Sequence, residues 1–286
     1  MKDSPARTVV LYLTPTLVVA TVFVLVPIGL SLYLSFWRWP LIGPGRAVVG
    51  LANYGRLLQS PEFWNALRVT SLYTLGVVPL STAASLALAL LVDRPLRGLS
   101  VYRTAFFMPV VTSTVAVAIV WKWIYNPQAG LLNGLLRAVH LPPPGWLTDP
   151  QWALPALIIM AVWKYAGYYM VMFLAGLQAI PREYAEAARI DGAGRLARFR
   201  HVTWPLLRPT TALVVITSTI FAFQVFGPVY VMTGGGPVRS TSVIVYHLYE
   251  RAFGFQELGY ASAMGWALFL IVFPLTVLQF KIISSR

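Results

Sequence analysis

Long apolar runs recur along this chain and constrain its fold more than any other feature. Six of them follow one another, at about residues 9–36, 66–92, 105–125, 153–180, 210–232 and 260–283. A helix of roughly 20 apolar residues crosses the hydrocarbon layer of a bilayer. In lipid each backbone N–H and C=O must find its partner within the protein, so such runs fold as helices, not open strands. The expected fold class is all-α, a polytopic membrane protein with six transmembrane helices. Composition agrees: 58% of residues are hydrophobic and only 11% charged, with mean hydropathy +0.69. A soluble domain carries about a quarter charged residues.

The formal charge of +13 would point to nucleic acid in a soluble protein. In a chain of this hydropathy it points to the lipid bilayer instead, with basic residues at the cytoplasmic face and no nucleic-acid partner. The sequence holds no cysteine, which excludes disulfides and thiolate metal sites. The first run is too long for the core of a signal peptide and reads as a retained anchor behind a cytoplasmic tail at residues 1–8. The membrane-spanning body then covers residues 9–286. With both termini inside, the cytoplasmic side holds Lys2, Arg7, Arg94, Arg97, Arg103, Arg182, Arg189, Arg195, Arg198, Arg200, Arg208, Lys281 and Arg286. The outer side holds Arg38, Arg46, Arg56, Arg68, Lys122, Arg137, Arg239 and Arg251. That asymmetry predicts a multi-pass protein of a cytoplasmic membrane with both termini in the cytoplasm.

One charged insert interrupts the pattern, at about residues 181–209, and carries Glu183, Glu186 and Asp191 of the nine acidic residues in the chain. Pro181 suits the first turn of a helix, where its missing N–H costs nothing. A short helix over residues 182–190 follows, and Asp191-Gly192 signals a turn. A second helix is expected over residues 193–203, with Leu196, Phe199 and Val202 at helical spacing. Pro205 and Pro209 are expected to end it. By periodicity alone this pair is either a docking knob or a solvated loop lying on headgroups.

Glu186-Ala187-Ala188, then Asp191-Gly192-Ala193, then Phe199, Val202, Pro205 and Pro209 resemble the EAA motif of ATP-binding-cassette importer permeases. Val202 and Trp204 stand where isoleucine and leucine are common in that motif. Further similarity lies in Val49-Gly50-Leu51-Ala52-Asn53-Tyr54, Pro61-Glu62-Phe63-Trp64, the run from Phe173 to Pro181, and Tyr230-Val231-Met232-Thr233-Gly234-Gly235-Gly236-Pro237. Together with Gly259-Tyr260-Ala261-Ser262-Ala263 these resemble the carbohydrate-type permease subunit related to MalF and UgpA. The resemblance implies a type I importer fold in a bacterial or archaeal membrane. It implies as partners a second, MalG-like permease subunit, two ATPase subunits and an extracytoplasmic solute-binding protein. It makes the insert a coupling helix docked in a groove of an ATPase, with Glu186, Ala187, Ala188, Asp191, Gly192, Ala193, Phe199 and Pro205 in contact or shaping it.

The sequence has no engine of its own. A phosphate-cradling P-loop needs Gly-Lys followed by Ser or Thr. The four lysines, Lys2, Lys122, Lys164 and Lys281, all lack a preceding glycine. ATP and Mg are therefore expected in the partner ATPase, with no cofactor in this chain. The glycines at 192 and 194 follow a helix, not a strand, and make no dinucleotide loop. Gly234, Gly235 and Gly236 read as a helix end. His140, His201 and His247 are isolated, so no metal or catalytic constellation is visible. A membrane-embedded enzyme would need paired carboxylates or clustered histidines in the spans, and a stand-alone channel would not need the knob.

Polar and aromatic residues inside spans are the candidates for a solute pathway. Span four offers the cluster Trp163, Lys164, Tyr165, Gly167, Tyr168 and Tyr169; span five offers Thr217, Phe221 and Gln224, among Ser218, Phe223 and Phe226. The resemblance to MalF-like permeases implies substrate contacts near Trp163, Gly167, Met170 and Gln224. Aromatic faces with hydrogen-bonding groups suit a sugar or related small polar solute. The resemblance also admits sn-glycerol 3-phosphate or glycerophosphodiesters. Lys164 either faces the pathway or snorkels to an interfacial belt.

Overall fold

The computed structural model describes residues 5–93 and 98–284. Lys2, Arg94, Arg97 and Arg286 of the charge-asymmetry argument, and the start of the proposed tail, lie outside them. The described chain is mostly helical, with one two-stranded ribbon, and the contacts divide it into two compact units.

The first unit comprises Met1–Phe63 with Leu248–Leu270. Helix α1 (Pro5–Ala20), a π-helical turn (Thr21–Leu25) and α2 (Val26–Ser35) form one continuous span. The π turn has a cause. Val26 donates to the Thr21 carbonyl five residues back, one residue before Pro27, whose ring would clash with a carbonyl in α-helical register. Strands β1 (Trp37–Arg38) and β2 (Ala47–Val48) then pair antiparallel, Trp37 opposite Val48. Helix α3 (Ala52–Gln59) ties this ribbon to the end of α2. Asn53 Nδ2 donates to the carbonyls of Ser35 and Trp37, at 2.8 and 2.9 Å, and the Tyr54 hydroxyl donates to Ser35 Oγ at 2.8 Å. These bonds satisfy carbonyls that the end of α2 leaves without amides.

The same unit holds a polar cluster. Arg56 grips Glu257 with two bonds of 2.7 and 3.1 Å, and Arg251 reaches that carboxylate at 3.5 Å. The Arg56 guanidinium also lies 4.3 Å from the Tyr260 ring centroid. The hydrogen bond to Glu257 holds the Arg56 guanidinium above its ordinary pKa. Gly259, next along, sits against the Trp37 carbonyl so closely that a Cβ would overlap it. The motif residues Asn53, Tyr54, Gly259 and Tyr260 are thus structural ties.

The second unit comprises Trp64–His247 with Ile271–Arg286; the boundaries fall inside α4 (Pro61–Val92), α14 (Ile244–Tyr249) and α15 (Leu258–Ser284). It also contains α5 (Leu99–Val111), α6 (Thr114–Ile124), α7 (Leu131–Ala138) and α8 (Pro150–Gln178). After these come α9 (Arg182–Ile190), α10 (Arg195–Arg198), a π turn (Phe199–Thr203) and α11 (Trp204–Leu206). Helices α12 (Arg208–Phe223), α13 (Gly227–Met232) and α14 (Ile244–Tyr249) complete the series. Helix α8 is the core element. Its Leu157, Met160 and Ala161 pack with Tyr73, Val77 and Val117, and its Met170, Phe173 and Leu174 pack with Ala89, Leu207 and Val214. Burial pushes up the Asp93 carboxyl at the end of α4, while Arg103 opposes the rise.

Six uninterrupted spans are not what forms. Four described helices are long and apolar enough to cross, and six crossings result if each bent pair counts as one. The third expected span breaks into α5 and α6, which meet at 97°. Thr112 and Ser113 leave the helix there with extended ψ angles of 145° and 130°, and Pro109 has already removed one amide from that turn. The fifth expected span stops at Phe223 and resumes at Gly227, where Pro228 occupies the first turn of α13. The second helix of the insert also runs further than expected, over Arg195–Leu206, and passes through Pro205. Trp204 donates to the Phe199 carbonyl in a π turn, which makes room for the proline ring. The chain bends instead at Leu207, by 66°.

Candidate functional site

Two features of the second unit can serve transport: the exposed insert and a cavity among the spans. The insert begins where α8 ends. Pro181 precedes α9, and at its far end the Ala193 amide donates to the Ala188 carbonyl at 2.9 Å while the Gly192 amide donates to Arg189 at 3.0 Å. This pair of bonds is a Schellman closure, and it needs a left-handed residue. Gly192 supplies it at φ +78°. The Asp-Gly-Ala element of the motif is therefore a helix stop.

None of the nine residues of α9 is buried. Glu186, Ala187, Asp191 and Gly192 are exposed, while Ala188, Ala193, Phe199 and Pro205 are half-buried. Two large apolar side chains stand out from the knob, Ile190 at 87% exposure and Leu196 at 80%. Phe199 and Trp204 pack at 6.2 Å between centroids, which joins the second helix to the bend before α12. A charged, amphipathic helix with its apolar residues uncovered and small alanines beside its glutamate is built for close approach by another surface.

The cavity has a volume of about 480 Å³. Tyr73 and Val77 of α4, Lys164, Tyr165 and Tyr169 of α8, and Ser218, Phe221 and Ala222 of α12 line it. Both helix breaks open onto it. Val110 and Thr114 flank the first, and Gln224, Val225, Phe226, Gly227 and Pro228 form the second. Irregular backbone at membrane depth is tolerated where it lines a cavity or is buried in protein, and discontinuous helices commonly frame solute sites. Lys164 is the one charged side chain among the described lining residues, and it is only 1% exposed. Its Nζ donates to the Pro109 and Thr112 carbonyls at 2.9 and 2.8 Å, so two of its three donors are committed to backbone. It neither snorkels nor stands free.

Of the nine pathway candidates, Lys164, Tyr165, Phe221 and Gln224 come together at this cavity. The other five lie elsewhere. Trp163 is 48% exposed and stacks edge-on against Trp121 at 5.5 Å, over an apolar groove along α5 and α6. Gly167 is pressed to the backbone of Phe106, and Met170 lies in the core. Tyr168 packs on Tyr169, at 5.3 Å, and reaches only the flank of Phe221, at 6.5 Å. Thr217 donates to the Leu213 carbonyl at 2.7 Å. Tyr73, Val77, Val110, Thr114, Ala222, Val225, Gly227 and Pro228 also line the cavity and were not among the sequence candidates. Tyr169, Ser218 and Phe226 stood beside those candidates in the sequence and line it as well. The second span carries Tyr73 among several other hydroxyl side chains, Thr70, Ser71, Thr74, Ser81, Thr82 and Ser85, and these polar groups were the available signal.

A multi-pass membrane chain with a cavity at two helix breaks and a protruding amphipathic knob defines a transport permease. The chain belongs to the family described as binding-protein-dependent transport system inner membrane component, whose model matches residues 81–284. It is thus a multi-pass inner-membrane transporter component and not an enzyme. It is 35% identical over 285 residues to the trehalose/maltose transport system permease protein MalF of Thermococcus litoralis, covering 99% of this chain and 95% of that one. It is 34% identical over 279 residues to the sn-glycerol-3-phosphate transport system permease protein UgpA of Agrobacterium fabrum, covering 96% and 94%. Its fold matches a chain of a bacterial alginate ABC transporter crystallised with an alginate pentasaccharide-bound periplasmic protein, with TM-score 0.84, 22% identity and coverage of 96% and 95%.

Proposed function

We propose that this permease forms half of the membrane pathway of an ATP-driven importer for a sugar or related neutral polyhydroxylated solute. An extracytoplasmic binding protein delivers the solute, a second MalG-like permease completes the pathway, and two ATPase subunits hold the ATP and Mg. The termini and the knob face the cytoplasm, in keeping with the basic residues of the insert.

The observation that carries the solute class is the lining of the cavity. It offers tyrosine hydroxyls, the Ser218 hydroxyl, the Gln224 amide and aromatic faces, while its one ammonium is engaged by two carbonyls. Such a surface holds hydroxyl groups and has little charge left for a phosphate. The MalF relative is named for trehalose and maltose. A second reading, import of sn-glycerol 3-phosphate or a glycerophosphodiester, draws on the UgpA relative and on the remaining N–H of Lys164. Calorimetry of the cognate binding protein against neutral oligosaccharides and glycerol phosphates separates the two.

In the mechanism, ATP draws the ATPase subunits together and the docked knobs follow. Helix α8 feeds α9 directly, so movement of the knob enters the cavity wall. Reversing a 1:99 population of inward- and outward-facing states takes about 5.5 kcal/mol, a sum that ATP-driven closure of the dimer can contribute. Glu186 and the Ala187–Ala188 face form the grip, and Gly192 sets the turn. Reconstituted with its partners, Glu186→Lys and Gly192→Pro should insert normally yet lose uptake and solute-stimulated ATP hydrolysis. Wild-type turnover in either variant overturns the coupling role.

A further inference from the structure

We propose that Lys164 is a positioning residue that pins the broken third span to α8, so that movement of the knob-bearing helix reaches the cavity wall. The proposal rests on the importer reading and adds a specific mechanical part to it.

The break at Thr112 and Ser113 leaves the last carbonyls of α5 without amides from a following turn. In lipid, such groups are costly to leave unpaired unless a donor reaches them. The Thr112 hydroxyl supplies one, to the Pro109 carbonyl at 2.7 Å. Lys164 supplies two more, to Pro109 at 2.9 Å and Thr112 at 2.8 Å. Its ammonium thus sits at the negative end of the α5 dipole, where a cation is favoured. Burial removes the competing water that would weaken these bonds.

The neighbouring contact serves the same join. Gly167, nearly one turn beyond Lys164, faces the carbonyl of Phe106 and the Cα of Phe107 with no room for a side chain, so the α5 and α8 backbones touch there. Backbone contact and ammonium together fix two points on α5. Val110 and Thr114, on either side of the break, line the cavity. Helix α8 continues to Gln178, and α9 begins four residues later at Arg182. A continuous mechanical path runs from the knob along α8, through Lys164, to the cavity wall.

The test uses the complete importer in liposomes, with Lys164→Met to remove the donors at nearly constant length and Lys164→Arg to keep them. With Met, the maximal rate of uptake and the solute moved per ATP should fall by about tenfold or more, the scale of losing charge-assisted hydrogen bonds to buried acceptors. The half-saturating solute concentration should hold within about twofold. Arginine should restore part of the rate. A loss carried by the half-saturating concentration would make Lys164 a solute contact and overturn the pin, as would a wild-type rate in the Met variant.

A second arm keeps Lys164 in place. Spin labels at Met108 on α5 and Val171 on α8, both exposed on this chain, report their separation with and without ATP. The pin requires a change under about 2 Å while other helices shift; a larger change overturns it. Absence of uptake by the wild-type complex counts against the importer reading. In that case the label distance still decides the pin, because losing Lys164 should broaden its distribution and an unchanged width overturns it.

Discussion

The Ala193 amide donates to the Ala188 carbonyl, 2.9 Å away, and this bond ends the first helix of the insert. The closure depends on Gly192 at φ +78°, and nothing lies within 4 Å of where its Cβ would be. The cost of a side chain there is one of backbone conformation alone, about 1–2 kcal/mol for an ordinary residue. Gly192→Asn should therefore keep uptake close to wild type, since asparagine enters the left-handed region readily. Gly192→Val should lose most of it. Uptake in reconstituted vesicles checks the pair.

Three glycine-to-alanine changes should fall in a fixed order of thermal stability. Gly167→Ala drives a methyl into the Phe106 backbone, which cannot swing away. The expected loss is about 1–3 kcal/mol. Gly176→Ala meets the Thr210 side chain, which has some freedom to move, and should cost less. Gly134→Ala in α7 meets nothing within 4 Å and should gain about 0.5–1 kcal/mol. Melting of the purified protein in detergent ranks them.

Asn53 spans two elements through its amide, with donors to Ser35 and Trp37. Asn53→Ala leaves both carbonyls short of a donor and should cost about 1–3 kcal/mol. Asn53→Asp keeps the shape but sets an acceptor against two acceptors, and should cost more than alanine. Thermal melting of the two variants side by side is the check.

The cavity lining sorts its neighbours by function. Gln224→Ala and Tyr165→Phe should each raise the half-saturating solute concentration several-fold, about 1 kcal/mol per lost hydrogen bond. Trp163→Ala, on the groove side of α8, should leave it unchanged. Uptake measured against solute concentration distinguishes them.

The Asp93 carboxyl gives a pH signature. Burial raises its folded pKa above the unfolded value, so the folded state binds the proton more tightly. Its contribution is then full below the ordinary carboxylate range and is lost as pH rises through the folded pKa. Asp93→Asn should flatten that part of the stability profile, read as melting temperature against pH.

Hydropathy made the helical class and the existence of the spans legible, because lipid imposes a single length and a single secondary structure. The Asp-Gly turn was legible too, since few residues other than glycine take the left-handed conformation. The two breaks were not. Pro109 and Pro228 mark where a helix can fail but not whether it does, because Pro79, Pro155 and Pro274 sit inside helices that continue. What decides the outcome is distant in sequence, such as the ammonium of Lys164 waiting on α8 for the freed carbonyls. The cavity was half legible. Tyr165 and Tyr169 stand four apart on one face of α8, whereas Trp163, Gly167 and Met170 follow another, and a run of attractive residues in sequence spans both. Tyr73 came from a helix with hydroxyl groups along its length, so nothing in the sequence singled it out.

The two π turns ahead of Pro27 and Pro205 have an effect on angular phase. Each admits one residue beyond the α-helical count, and one residue is about 100° of rotation. Every side chain after Phe199 in that helix is therefore clocked round by that amount relative to an unbroken coil, and Trp204 meets Phe199 on a face it would otherwise turn away from. The proline thus sets the azimuth at which the second helix of the insert meets the bend into α12.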